Sequence, residues 1–481
     1  MTSKSTSTSQ LKPLCVDLDG TLTPTDTLWE SCLLLLRKNP LYFFRMLKWL
    51  LAGKAGFKLK VSQRVYPNAA LLPYSSKFVE FLQQQKTDGR HLCLVTAASR
   101  EIADAVAGHL GLFDSVIASD AQTNLSGKNK AKKLVEVYGE KGFVYAANAS
   151  VDLNVWQHAD AAIPVNAPSR LVKLIRARSI KIEAEFAATS GSLSRILIKA
   201  MRPHQWAKNS LLFVPIVLAH SQDVSAWADV CLAFVAFSLS ASSIYIINDL
   251  FDLEADRKHP TKRNRPFAST ALSIPKGLIL FVVLITMAGL VALQVNMMFT
   301  MLLLGYVILT TSYSVVLKLH ALVDVFTLTS LYTLRIVSGA AAAGSEISNW
   351  LLAFSIFFFM SMAFAKRYSE LHNLAEAGDL EASTRGYVVR DLMIVILFGV
   401  ASGYISVMVM MLYIQDLQAS LLYSNPAWLW LISFVLLYWI SRTWLLSYRG
   451  KMDEDPVLFA LHDQKSYLMA AAVAIWFWLA L

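Results

Sequence analysis

From about residue 205 to its end the chain returns repeatedly to apolar runs of membrane-spanning length, WADVCLAFVAFSLSASSIYII at 227–247 among them. A bilayer core about 30 Å thick takes about 20 apolar residues of helix at 1.5 Å each. Lipid cannot pair a bare backbone, so runs of this length must be helices. The predicted second half is an all-α transmembrane bundle of nine helices, centred on 206–221, 227–248, 276–295, 297–315, 321–341, 349–366, 391–414, 427–446 and 465–481. The first has a polar entry, MRPHQWAKN. Lys and Arg occur in alternate loops (249–275, 316–320, 366–390 and 447–464) and are absent from SQDVSA, QVN, AGSEISN and IQDLQASLLYSNP. Positive loops stay in the cytoplasm, so the N-terminus is expected in the cytoplasm and the C-terminus outside.

Residues 1 to about 190 have the mixed composition of a soluble domain, and the chain therefore reads as multidomain. The net charge of +10 lies largely beside apolar spans, which favours the lipid bilayer and phosphorylated substrates as partners over nucleic acid. Cys15, Cys32, Cys93 and Cys231 have neither CxxC nor zinc spacing and read as buried thiols. Residues 1–12 read as a disordered tail.

Residues 13–166 show short apolar strands at 13–18, 91–96, 115–119, 143–148 and 161–165 with helical stretches between them, the pattern of a parallel sheet with crossover helices. Ligands bind such sheets at the carboxyl ends of the strands. Asp17 and Asp19 sit there, in DLDGTLTPTD. This motif resembles the DxDGT signature of haloacid dehalogenase (HAD)-like phosphatases, and the domain is similar to their Rossmann-type sheet with a helical cap. The resemblance implies Asp17 as nucleophile and Asp19 as general acid/base: one carboxylate attacks phosphorus, the other protonates the leaving oxygen. It implies Thr96 as phosphate binder and Lys130, with Lys128 and Lys132 near, as the neutralising lysine. It also implies Mg²⁺ held by Asp17, Asp19 and the fourth motif. That motif departs from the family, with Asn148 in place of an Asp and Asp152 four residues on as the residue expected to compensate. The insertion at 28–70 contains LYFFRMLKWLLAGKAGFKLK, apolar and basic at helical spacing. It fits either a membrane-surface segment or a helical cap packed on its own domain. A basic, then small and polar linker spans 167–194.

One charged stretch follows an apolar span directly: NDLFDLEADRKHPTKRNR, 248–265. Asn248, Asp249, Asp252 and Asp256 fall within about 100° of arc if the helix continues. Hard oxygen ligands at a membrane surface suit Mg²⁺ shared with a diphosphate. Arg257, Lys258, Lys262, Arg263 and Arg265 come next. Further polar groups recur at the same face: Arg202, Trp206, Lys208 and Asn209 in RPHQWAKN, then Tyr313, Lys318, Asp324 and Arg335. Asp324 and Arg335 lie in an apolar span, where ionisable groups are costly and mark function. They are three turns apart and do not pair on one helix. The last charged loop, with Asp453, Glu454, Asp455, His462 and Asp463, is a candidate lid.

With these motifs, residues 195–481 resemble the UbiA superfamily of intramembrane transferases, whose first aspartate motif binds Mg²⁺ and a diphosphate. RPHQWAKN, DRKHPTKRNRP and YSVVLK…D look most like the decaprenyl-phosphate phosphoribosyltransferases of that superfamily. The resemblance implies transfer of 5-phosphoribose from phosphoribosyl pyrophosphate to a polyprenyl phosphate, in the cell-envelope biosynthesis of a bacterial-type inner membrane. Asp249, Asp252 and Asp256, with Asn248, would hold Mg²⁺, and Asp324 is a further metal candidate. Lys262, Arg263 and Arg265 would hold the donor. Lys208, Asn209, Tyr313, Lys318 and Arg335 would hold substrate. Superfamily prenyltransferases commonly carry a second aspartate-rich motif, whereas the matching region here has Asp324 alone. The alternative is a prenyltransferase acting on an aromatic acceptor, with a regulatory HAD-like domain. A homo-oligomer is compatible with either.

Overall fold

The computed structural model describes residues 11–51, 53–120, 124–187, 191–376, 383–416, 422–452, 456–460 and 462–481. Most of the expected N-terminal tail and the lid residues Asp453, Glu454 and Asp455 lie outside them. The chain divides into two compact units, residues 1–201 with 245–281, and 202–244 with 282–481.

In the first unit, β1 (Leu14–Val16), β2 (Leu92–Ser99), β3 (Ser115–Ser119), β4 (Val144–Ala147) and β5 (Ala161–Pro164) form a parallel sheet in the order β3-β2-β1-β4-β5. Cys15 pairs with Cys93 on one side and Tyr145 on the other. Side chains alternate between faces, and both faces are covered, so β1 is apolar throughout. Leu14 and Val16 join Phe78, Leu82 and Ile102 on one face; Cys15 joins Leu134, Tyr145 and Trp156 on the other. The chain then leaves β1 through Asp17 and Asp19 at the sheet's carboxyl edge.

The insertion folds into helices Thr27–Lys38, Tyr42–Leu51 and Lys54–Ser62 around a small core of Cys32, Leu35 and Val61. It is therefore a helical cap, yet Leu41, Phe43, Phe44, Leu47, Leu50 and Leu51 remain exposed.

Among the described residues seven helices are long and apolar enough to cross a membrane: Val224–Phe251, Ile274–Val295, Met297–Val315, Val323–Ala342, Asn349–Glu376, Val389–Ile414 and Pro426–Tyr448. The expected nine is not reached. The 206–221 stretch forms a 3₁₀ run, Pro203–Phe213, and a short helix, Val214–Leu218. Pro203 and Pro215 each lack the N–H of a regular helix. The 465–481 stretch forms Gln464–Ala480, of 17 residues. Asp463 caps that helix through Ser466 N–H at 2.9 Å and pairs with Arg442 at 2.7 Å, a structural use rather than that of a lid. Cys231 is exposed, unlike the other three cysteines; an outward position on a spanning helix meets lipid, so an apolar residue there need not be buried in protein.

Candidate active sites

Lys130 and Asp17 are both buried and form an ion pair at 2.7 Å. Lys130 starts near the head of helix Lys128–Tyr138, and also donates to the Tyr145 hydroxyl at 2.8 Å. Of the three neighbouring lysines it is the one that reaches Asp17. The Tyr145 hydroxyl donates to Asp152 Oδ1 at 3.2 Å, while Asp152 Oδ2 accepts from Ala149 N–H at 3.0 Å. Asp152 thus backs the Lys130–Tyr145 pair. Its oxygens are engaged there, and the compensation for Asn148 expected of it is not what its bonds provide. Burial, then the charge of Asp17, pushes its carboxyl up to about 6.

Asp19 Oδ1 accepts from Thr27 N–H at 2.8 Å, at the head of helix Thr27–Lys38. Burial, then the neighbouring Asp26 carboxylate, pushes Asp19 up to about 7, the direction a general acid requires. Gly20, at φ +80°, lets the chain pass Asn148: a Cβ there would lie 2.1 Å from Asn148 Nδ2. Thr96 is buried within β2, and its hydroxyl accepts from Ala98 N–H at 2.9 Å, where the pairing with β3 shifts register between Thr96 and Ser99.

Lys58 was not foreseen as a site residue. It comes from the cap helix Lys54–Ser62, donates to Ala97 O at 2.9 Å and Asn124 Oδ1 at 3.3 Å, and lines a cavity with Asp19, Asp26 and Ser99. Burial lowers its ammonium below the ordinary value. Its sequence neighbours made it one basic residue of an amphipathic repeat; only the fold of the cap turns it inward.

The 248–265 stretch belongs to the same compact unit. The helix ends at Phe251 and resumes at Leu253, but Asp252 N–H still bonds Asn248 O at 2.9 Å and Asp256 N–H bonds Asp252 O at 2.8 Å. The expected arc is therefore nearly kept. Its carboxylates divide, however. Arg265 pairs with Asp249 at 3.2 Å and Asp256 at 2.7 Å, both buried, whereas Asp252 faces Arg37 at 3.6 Å. Among the described residues no three His, Cys, Asp or Glu side chains gather as a metal cluster. Mg²⁺ commonly takes one or two carboxylates and completes its shell with water and substrate phosphate. Asp249 and Asp256, already grouped around one cation, fit that demand; so do Asp17 and Asp19 with the Asn148 amide oxygen. Lys262 and Arg263 lie in the 3₁₀ turn Lys262–Asn264, with Arg263 exposed.

In the second unit Asp324 is fully buried and pairs with Arg367 at 2.6 Å; the Tyr387 hydroxyl donates to it at 2.9 Å. As a metal candidate it is thus engaged elsewhere. Arg367 also pairs with Glu370, while Arg385 donates to the Tyr313 hydroxyl at 2.7 Å and lies 3.5 Å from Glu370. Neither arginine was foreseen. Arg335 bonds Asn209 Oδ1 at 3.0 Å, the Tyr306 hydroxyl at 3.0 Å and Leu331 O at 2.7 Å, beneath the Tyr306 and Tyr332 rings. All of these partners are neutral. Asn209 donates to Ser238, and Lys208 is also buried. Gly339 permits this assembly, since a Cβ would lie 2.1 Å from Leu212 O. Lys318 sits in the 3₁₀ turn Leu317–Leu319.

Comparison with known proteins gives two family matches: the UbiA prenyltransferase family over residues 210–469, and haloacid dehalogenase-like hydrolase over residues 14–155. "Uncharacterized protein y4nM" of Sinorhizobium fredii is 35% identical over 98% of this chain and 91% of its own length. "Nodulation protein NoeC" of Azorhizobium caulinodans is 37% identical over 58% of this chain and 90% of its own. Decaprenyl-phosphate phosphoribosyltransferase of Mycobacterium tuberculosis is 34% identical over 40% of this chain and 67% of its own. The chain belongs to the UbiA prenyltransferase family, as a multi-pass membrane protein that carries a HAD-like domain ahead of its spanning helices.

Proposed function

We propose that the membrane domain, about residues 195–481, moves 5-phosphoribose from phosphoribosyl pyrophosphate to a polyprenyl phosphate, releasing diphosphate. The HAD-like domain, about residues 13–166, then removes the 5-phosphate from the product. The distribution of Lys and Arg among the loops supports a cytosolic first domain and an inner-membrane location. Relatedness to decaprenyl-phosphate phosphoribosyltransferases supports the donor and acceptor. The observation that carries the reading is the state of the aspartates. Asp249 and Asp256 are grouped around a cation, while Asp324, the lone aspartate of the second region, is consumed by Arg367 and Tyr387. A prenyl diphosphate donor held between two aspartate motifs would lack its second motif.

Asp249 and Asp256 with Asn248, joined by Asp252 when it turns from Arg37, would hold Mg²⁺, which would neutralise the diphosphate leaving group. Arg265, Lys262 and Arg263 bind the donor's phosphates, with guanidinium able to engage them in a bidentate way. Departure of diphosphate leaves an oxocarbenium-like ribosyl carbon, and a lipid phosphate oxygen attacks it from the opposite face. Lys208, Asn209, Tyr313, Lys318 and Arg335 position that acceptor. Arg335 suits an anion because no carboxylate among the described residues pairs with it. The acceptor is already anionic, so catalysis is positioning and electrostatic stabilisation. In the second step Asp17 attacks phosphorus, forming an aspartyl phosphate as Asp19 protonates the leaving oxygen; water deprotonated by Asp19 then hydrolyses that intermediate and releases phosphate, while Lys130 and Thr96 hold the phosphoryl oxygens. The test is purified full-length protein in lipid nanodiscs with Mg²⁺, polyprenyl phosphate and ribose-labelled donor. Label should enter the lipid fraction. Consumption of geranyl or longer prenyl diphosphates, with phosphoribosyl pyrophosphate ignored, would replace this reading with prenyl transfer.

A further inference from the structure

Asp19 lines two cavities of very different size. The smaller, about 50 Å³, is bounded by Lys58, Asp26 and Ser99 and suits a compact polar group. The larger, about 270 Å³, starts at Asp19, Gly20 and Asn148, passes Trp29, and is closed by residues of 253–275. Its far wall is therefore supplied by the segment that follows the aspartate motif of the membrane enzyme: Leu253, Phe267, Thr270, Leu272, Ile274 and Pro275.

That wall is built rather than draped. Arg257 is clamped by Glu30 through bonds of 2.6 and 2.9 Å, with side chains 7% and 2% exposed. Glu254 accepts from Asn68 N–H at 2.9 Å. Phe267 sits so close over Gly277 that a Cβ there would lie 2.4 Å from its ring. Thr270 has a φ of +60°, a region a β-branched residue seldom occupies and one that clusters at functional sites. Trp29 keeps 39% of its surface open, an amphipathic ring of the kind that covers a sugar face.

We propose that this cavity receives the alcohol part of the phosphatase substrate, and that the 253–275 segment, together with Trp29, selects a lipid-linked pentose 5-phosphate. The volume decides how much of that molecule enters. Small-molecule sites run from about 300 to 1,000 Å³, so this one accepts a pentose and leaves a prenyl chain outside. The apolar wall covers the sugar ring, the polar end at Asp19 faces the phosphate, and Thr270 lies within reach of a sugar hydroxyl. The transferase segment thereby serves as the specificity wall of the hydrolase. This rests on the two-step reading above.

The test uses full-length protein in nanodiscs and measures phosphate release from synthetic lipid-linked 5-phosphoribose, free ribose 5-phosphate and p-nitrophenyl phosphate. The variants are Trp29→Ala and Thr270→Gly; the second relaxes a strained backbone and so spares folding. Wild type should prefer the lipid-linked substrate to free ribose 5-phosphate. Each variant should lose about tenfold in kcat/KM on the lipid-linked substrate, mainly through KM, and stay within about twofold on p-nitrophenyl phosphate. An equal fall on all three substrates, or unchanged selectivity in both variants, overturns the inference and leaves the two-step reading standing. Preference for free ribose 5-phosphate overturns the assigned ligand. Wild type that hydrolyses none of the three overturns both.

Discussion

Glu30 and Arg257 lie 227 residues apart in the chain, yet they form a two-bond ion pair that is almost wholly buried. Arg257 also donates to Ala268 O at 3.3 Å and, at a marginal 3.4 Å, to Leu71 O. Glu30→Ala removes both charge-assisted bonds and leaves a buried guanidinium with only those weaker carbonyl partners. Breaking such a pair costs about 3–5 kcal/mol, and two bonds at about 1.5–3 kcal/mol each give about 3–6 kcal/mol, an overlapping range. The loss should appear as local opening of residues 253–264, because the sheet does not rest on Glu30. Amide exchange of the full-length protein reads it directly: at 1.36 kcal/mol per tenfold, peptides from that segment should exchange roughly 10²- to 10⁴-fold faster, with β1 and β4 unchanged. Replacing both residues, Glu30→Met with Arg257→Met, should restore most of the protection, since an apolar pair carries no desolvation cost. Unchanged exchange in Glu30→Ala would refute the reasoning and show that the pair holds nothing in place.

Three further outcomes are expected. Asp256→Asn and Asp252→Asn should each abolish Mg²⁺-dependent transfer while leaving the fold intact; normal turnover in either would remove that residue from the mechanism. Asp17→Asn should stop phosphate release with transfer unchanged, and Asn148→Asp should speed release if the missing carboxylate limits it, both read by phosphate assay on the lipid product. Lys58→Met should raise the phosphatase KM by about tenfold through one lost charge-assisted bond worth about 1.5 kcal/mol; a fall in thermal stability with KM unchanged would make Lys58 a structural residue.

The parts of this molecule that were legible in the sequence are those whose signal is local. The short unbroken apolar run in PLCVDL marks a strand buried on both faces and puts Asp17 and Asp19 at its end, where the structure has them. Apolar length marks the spans, and it fails at 206–221, where the chain runs in a 3₁₀ stretch entered at Pro203 and then a short helix with Pro215 at its head, a break that hydropathy does not register. Pairings between distant elements were not legible. Nothing near Asp324 announces Arg367, which reaches it from a different helix, and nothing near Arg335 announces Asn209. Lys58 shows the same limit in reverse: an amphipathic repeat reports that a helix has two faces, but not which neighbour either face will meet. Asp152 lay four residues from Asn148, close enough in sequence to suggest a shared task, and the turn between them instead points it at Tyr145.

The central claim is that one chain makes and then dephosphorylates a lipid-linked phosphoribose. Mass spectrometry of the lipid formed from polyprenyl phosphate and phosphoribosyl pyrophosphate tests it most directly, with wild type and Asp17→Asn run side by side. The account predicts the ribosyl lipid phosphate from wild type and, from Asp17→Asn, the same lipid heavier by one phosphate. A phosphoribosylated lipid from both proteins, never losing its phosphate, would contradict the second step; no pentose on the lipid from either would contradict the first.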